Sequence, residues 1–580
     1  AYLYGRLVRH LSRNIKEYGR KTGKEIHFYV ATHSLVNYAQ WKIMSPESRL
    51  LDVDEVDGFI AQVWTGTSGT GNVYEGHYKS RTFETAYLEY GIMQELVKGT
   101  DKEVWFLQDP VEDNPEHGWE EYEDKYKKTL TAALFWPDVD HYEVCPWPNR
   151  VFKGRYPRKV GLAEGMIPTE DMEGAKNIPD TYATFLASMI QTLGDMTKGE
   201  NETEKDAVGV FLADSCMYQR TYPDHVEHHG QKINLSGMED WMNRLIFQKE
   251  EERQLLLSME KMEYAYKECC AFPDWFGLTL PLLKYGLPIQ PVYFDHMVRY
   301  DEYLRKYRYL ILSYEFMKPE SEEFHHKLVE WVKQGGTLFY IGKDFDPYNY
   351  LQEWWQKFFC DTPAQHLFAE FGMDKEPANG CYRIGEGNVL VWNEVPALLS
   401  VNEAIADKYR NWIREGLKMG GYHWKMCNYL SVRRDPYIVI ASMQESDMGS
   451  VYTKEGLFVD LYEDKYPVVE RVLVEPGQEK LLFDLEKIKE DVRIIATAAR
   501  IENMVCENGQ LSIEAKAIDH IQVNMRIRLP GKPEDLCAHT ESGKNMELQS
   551  VWDEKSRTVW LSYRSNNEKV YITGKLKYES

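Results

Sequence analysis

Short apolar runs alternate with stretches of helical periodicity through the first third of the chain. Residues 26–33 (IHFYVATH), 56–64 (VDGFIAQVW), 103–110 (EVWFLQDP) and 142–148 (YEVCPWP) are β-rich runs. Residues 82–99 (TFETAYLEYGIMQELVKG), 119–135 and 182–196 carry apolar positions at helical spacing. Near-continuous apolar strands alternating with helices predict a parallel sheet buried on both faces. Four βα units are half of a (β/α)8 barrel, so residues 1–200 are expected to form the second half of such a barrel. A small open doubly wound sheet is the competing expectation. Residues 2–18 form an amphipathic helix with Leu3, Leu7, Val8 and Leu11 on one stripe. This helix starts without a cap, which reads as a sequence beginning partway through a larger protein.

A second α/β pattern covers 201–420. It runs through a strand at 206–215, a long charged helical region at 238–268 and a helix leading into a strand at 274–295. A buried strand follows at 307–317. Then come a helix, a Gly-Gly stop and a strand within 321–342, a hairpin at 380–396 and a last helix at 402–418. This order fits a flavodoxin-like layer. After Gly420 and Gly421 the pattern alternates apolar and polar. Strands are expected at 437–444, 456–463, 479–485, 492–517, 521–530, 558–564 and 569–576, with a turn at Glu507-Asn508-Gly509. Residues 421–580 therefore read as an antiparallel β-sandwich.

Composition narrows the function classes. The 580 residues are 43% hydrophobic and 28% charged, which is ordinary globular composition. Lys and Arg number 69 against 92 Asp and Glu, a net charge of −23 that repels phosphate backbones, so no nucleic-acid partner is expected. No apolar run of ~18 residues exists, so no membrane partner is expected either. Nine cysteines without a CxxC pair read as reduced thiols in a cytoplasmic protein. Aromatics reach 13%, with 16 Trp and 39 Tyr, which suits sugar stacking and core packing equally.

The active site of a barrel lies at the carboxyl ends of its strands. The tips to inspect are therefore Ala31-Thr32-His33, Gln62-Val63-Trp64, Gln108-Asp109 and Pro146-Trp147-Pro148-Asn149. Asp109 stands directly on a tip, with Glu112 and Asp113 in the loop beyond. Sugar-bond hydrolysis uses a carboxyl pair, one protonating the leaving oxygen while the other attacks or activates water. Asp109 is the candidate nucleophile or charge stabiliser, and its bland role is to cap the following turn. Glu112 is the second candidate acid. His33 is a candidate for binding a hydroxyl or orienting a carboxylate, Trp64 and Trp147 for stacking, and Gln62, Gln108 and Asn149 for hydroxyl contacts. In the second unit, Cys216 invites a nucleophile reading, but the Gly-x-Cys-x-Gly elbow of class I amidotransferases is absent. His225, His228 and His229 invite a metal reading without supporting ligand spacing. The loop TGTSGTGN lacks the Lys and spacing of a phosphate loop. No cofactor and no metal are expected.

The order of a barrel, a flavodoxin-like layer and a β-domain resembles family 42 glycoside hydrolases of the β-galactosidase type. The segment 307–342 (YLILSYEFMKPESEEF, HHKLVEWVKQGGTLFYIG) and YRIGEGNVLVW at 382–392 look like the trimerisation domain of that family. The resemblance implies a Glu acid/base on the fourth strand, which this numbering places before residue 1. It implies a Glu nucleophile on the seventh, where this chain has Asp109, with Glu112 as the alternative. It also implies a Trp at the eighth strand tip, matched by Trp147, and homo-oligomerisation as a dimer or trimer. The expected function is retaining hydrolysis of a small oligosaccharide or glycoside. The alternatives are a non-catalytic carbohydrate-binding or sensing protein with a degenerate barrel and, from another class, an amidotransferase-like enzyme using Cys216.

Overall fold

The computed structural model describes residues 2–41, 43–45, 47–63, 68–111, 117–160, 168–199, 208–218, 225–228, 231–234, 272–344, 346, 349 and 353–577. The helix Tyr2–Thr22 leads into strand β1 (Tyr29–Thr32), followed by β2 (Gly58–Gln62), the hairpin β3 (Gly71–Tyr74) and β4 (His77–Ser80), then β5 (Glu103–Gln108) and β6 (Tyr142–Val144). β1, β2, β5 and β6 form one sheet in that spatial order, every pair parallel. Strand order thus follows chain order without the reversal that a doubly wound sheet requires. Gly58 permits the close approach of β2 to β5, because a Cβ there would overlap the carbonyl of Glu103. A second hairpin, β7 (Arg155–Val160) with β8 (Pro168–Asn177), precedes the helix Asp180–Asp195.

The second sheet begins with β9 (Val208–Leu212). The hairpin β10 (His225–His228) and β11 (Gln231–Asn234) comes next, then the helix Pro273–Leu283 and β12 (Ile289–Tyr293). β13 (Tyr309–Leu312), β14 (Thr337–Ile341), β15 (Gly380–Ile384) and β16 (Gly387–Trp392) complete it. Its order is β12-β9-β13-β14-β16-β15, parallel except for β15 at the edge. Chain order therefore reverses at β9, as in doubly wound layers of the 2-1-3-4-5 type. The charged stretch 238–268 expected as a helix lies outside the described residues.

The helix Thr82–Leu96 is buried along its whole length, wedged between the two parallel sheets. That explains its weak amphipathicity, since a helix covered on all sides needs no polar face. Two of its acids form ion pairs: Glu95 accepts from Lys306 Nζ at 2.7 Å and Tyr307 OH at 2.6 Å, while Glu84 pairs with Lys284.

The last third is wholly antiparallel but holds three sheets. β17 (Tyr429–Arg434), β18 (Tyr437–Ser442), β19 (Tyr452–Asp460), β20 (Val468–Val474) and β21 (Glu479–Asp484) form the first. β22 (Arg493–Thr497), β23 (Arg500–Glu507), β24 (Gln510–Lys516), β25 (Gln522–Arg528), β26 (Lys532–Thr540), β27 (Asn545–Met546), β28 (Gln549–Asp553), β29 (Thr558–Arg564) and β30 (Val570–Lys577) divide into two more, ordered β22-β25-β29-β28 and β23-β24-β30-β26-β27. These two share a core of Leu511, Ile513, Val523, Met525, Val559, Leu561 and Ile572, the face-to-face burial of a sandwich. Asn508 and Gly509 both take positive φ in the β23–β24 turn, the geometry that tight hairpins favour.

One buried ionic cluster ties the three regions. Glu445, just after β18, receives Arg81 through Nε at 2.8 Å and Nη2 at 2.9 Å, Lys284 at 3.1 Å and Lys79 at 2.9 Å. Among the described residues, no helix is long and apolar enough to cross a membrane.

Candidate functional site at the carboxyl rim of the first sheet

Side chains along a strand alternate between faces. Val30, Phe59, Ala61, Val104 and Phe106 all turn to the helix layer and are buried. The opposite face is more open. Ala31, Ile60 and Trp105 are level with one another across β1, β2 and β5, and all retain exposure. Trp105 stacks obliquely between Tyr29 (centroids 5.5 Å apart) and His141 (4.9 Å), so an aromatic row crosses this face. Glu103 anchors it: Tyr29 OH donates to Oε2 at 2.5 Å and Trp105 Nε1 to the same oxygen at 3.4 Å. Burial, then the Glu103 hydrogen bond, raises the Tyr29 phenol to about 12.

One layer closer to the carboxyl ends, the register sets Gln62, Leu107 and Glu143 side by side, with His33 next after the Thr32–Ala61 pair. Leu107 is buried, whereas His33, Gln62 and Glu143 are half-exposed. His33 is held from two sides. Its Nδ1 lies 3.2 Å from the carbonyl of Gln62, and its backbone N–H donates to Tyr38 OH at 3.0 Å. Tyr38 OH in turn donates to Glu47 Oε1 at 3.0 Å, which also accepts Ser45 Oγ at 2.8 Å. Burial lowers the His33 imidazole, favouring its neutral form, and pushes Glu47 up to about 7. Burial also raises Glu143, the direction a carboxyl needs to hold a proton for delivery.

The expected residues fall in different places. His33 and Gln62 stand in this row. Trp147 (57% exposed) and Asn149 sit at the same edge beyond β6, where Trp147 opens the short helix Pro148–Phe152. Gln108 is a correction: it is fully buried on the helix side, where its Nε2 donates to Tyr90 OH at 2.9 Å. The cause is parity, since Leu107 and Asp109 share one face and Gln108 takes the other. Asp109 is only 3% exposed; its Oδ1 accepts the N–H of Val111 at 3.3 Å, as a turn cap does. Its charge also reaches Cys145, whose thiol burial, and then Asp109, push up to about 12. Trp64 and Glu112 lie outside the described residues, as do His229 and the side chains of His225 and His228. Cys216 is fully buried, which removes it as an accessible nucleophile. Glu143, Trp105, His141, Tyr38 and Glu47 are the additions. Glu143 carries the plainest signal, a charged residue inside an apolar strand run.

No family model matches the chain, and no curated protein matches it. Solved structures similar to it include glycoside hydrolases. A β-galactosidase from Bacillus circulans sp. alkalophilus shares 11% identity over 82% of this chain and 66% of its own, with a TM-score of 0.43. A family 42 β-galactosidase of G. stearothermophilus shares 8% over 92% of this chain and 65% of its own, TM-score 0.28. A rhamnosidase from Novosphingobium sp. PP1Y shares 10% over 92% and 48%, TM-score 0.34. The chain spans under two thirds of the length of each.

Proposed function

We propose that the carboxyl rim of the first sheet binds a carbohydrate and that Glu143 delivers the proton in cleavage of a glycosidic bond. The observation that carries this reading is the row of His33, Gln62 and Glu143 one layer nearer the carboxyl ends than Trp105 and His141, on the same face of the sheet. Hydroxyls find donors and acceptors in the upper row, and the apolar face of a sugar ring finds the indole below. Hydrolysis needs a second carboxylate. Asp109 supplies it in this reading, because its place beyond Leu107 puts it diagonal to Glu143 across the β5–β6 pair.

A second reading, sugar binding without turnover, draws on the burial of Asp109 and its engagement by Val111. One experiment separates them: turnover of a panel of nitrophenyl glycosides, with calorimetric titration of the corresponding free sugars, for the full chain and for Glu143→Gln. Turnover abolished in Glu143→Gln supports hydrolysis. Binding without turnover supports the second reading. Neither binding nor turnover by the unsubstituted chain defeats both.

A further inference from the structure

The second sheet reverses its winding at β9, with β12 on one side and β13 on the other. In open α/β sheets such a reversal leaves a crevice outside the strand ends where ligands bind. Here that crevice has a volume of about 360 Å³. It is lined by Ser48 and Arg49 from the first unit and by Asp214, Asp295, Arg299 and Glu320 from the second, with Ser321 and Phe324 at its wall.

The floor is closely built. Asp214, following β9, is 5% exposed, and the hydroxyls of Ser48 and Tyr293 each donate to one of its oxygens. Asp295, following β12, accepts the N–H of Asp214 through Oδ2 at 3.0 Å. Burial first, then the charge of Asp214, raise the Asp295 carboxyl, and burial raises Asp214 as well. The wall carries both signs: Arg49 lies 2.5 Å from Glu320, and Arg299 Nη1 donates to the carbonyl of Ser48 at 2.8 Å.

Each cation of the wall already faces a carboxylate, Arg49 facing Glu320 and Arg299 facing Asp52 at 2.5 Å, and both oxygens of Asp214 are taken by hydroxyls. A lining whose charges are paired but which is dense in donors and acceptors favours neither a free anion nor a free cation. It matches hydroxyl groups, each of which donates and accepts at once. We propose that this crevice is a second ligand site, separate from the rim of the first sheet, and that it takes a neutral polyhydroxylated molecule, a monosaccharide or small cyclic polyol.

The test is saturation-transfer difference NMR on the full chain with galactose, glucose and myo-inositol, and titration with inorganic phosphate and calcium chloride as charged comparators. Saturable millimolar binding of at least one neutral probe is expected. It should persist in Glu143→Gln, weaken about tenfold in Asp295→Ala, which removes the carboxyl oxygens, and vanish in Ser321→Trp, which fills the crevice from a half-exposed position. If Asp295→Ala does not fold, Ser321→Trp decides alone. The proposal is overturned by three outcomes: no neutral probe binds, binding ignores the crevice variants or disappears in Glu143→Gln, or phosphate or calcium binds in preference.

Discussion

Glu445 offers a quantitative test of how the regions of this chain are held together. Its side chain is 18% exposed and faces Arg81, Lys284 and Lys79. Burial alone would raise its carboxyl, but the Arg81 hydrogen bonds and the charges of Lys284 and Arg81 overcome burial and hold it at about 2, against an ordinary 4.5. At about 1.4 kcal/mol per pH unit, that depression is worth ~3 kcal/mol of stability. The sign follows from linkage. The unfolded chain takes up the proton first as pH falls, so the contribution is complete above about pH 5 and is lost between about 4.5 and about 2. Glu445→Gln mimics the protonated state and leaves buried Arg81 without its carboxylate and Lys284 with Glu84 alone, a change that costs about 3 kcal/mol. The assay is urea unfolding of both proteins, followed by intrinsic fluorescence at a series of pH values, comparing midpoints at constant slope. The gap between them should be about 3 kcal/mol at pH 7 and should close as pH approaches 2. A gap equally wide at both ends, or no gap at pH 7, would refute the electrostatic account.

Glu47 predicts the opposite trend in the next window: lifted to about 7 by burial, it holds its proton in the folded chain while the unfolded chain has lost it. Stability should therefore fall by up to ~3 kcal/mol as pH rises from about 4.5 to about 7, and Glu47→Gln should flatten that slope in the same urea series. Gly91→Ala places a Cβ 2.5 Å from Trp136 Cζ2 and 2.9 Å from Pro291, where the buried helix meets β12. Overpacking of about 1–3 kcal/mol should outweigh the gain in helix propensity, so thermal melting should drop by a few degrees, and an unchanged melting temperature contradicts the packing described. Asp109→Asn keeps an oxygen for the Val111 N–H while removing the charge. The melting temperature should stay close to that of the parent, while any glycosidase turnover falls at least ~100-fold; turnover that survives removes Asp109 from the chemistry.

The strands of both parallel sheets were legible because their apolar runs are long and bounded by turns. The pairing order was not written in any one segment. That β9 lies between β12 and β13 is a property of how crossovers wind, not of the runs themselves. The hairpins β3–β4 and β7–β8 leave no signal in the sequence, because HYKS and RYPRKV show no clean alternation of apolar and polar positions. At the rim, the strand tips name His33, Gln62 and Asp109 as candidates but not their facing. Parity separates Gln108 from Leu107 and hides it under the helices. The same parity brings Glu143 forward from the middle of its strand. Glu47 was invisible for another reason: its role depends on a contact with Tyr38, nine residues back and on a different element.

The short turn Glu47–Leu50 has a consequence for how the two proposed sites are joined. Glu47 reaches back through Tyr38 to the backbone of His33, while its neighbour Ser48 reaches forward to Asp214. Consecutive residues of one turn thus bond to the rim of one sheet and to the crevice floor of the other, so a substitution that displaces this turn touches both places.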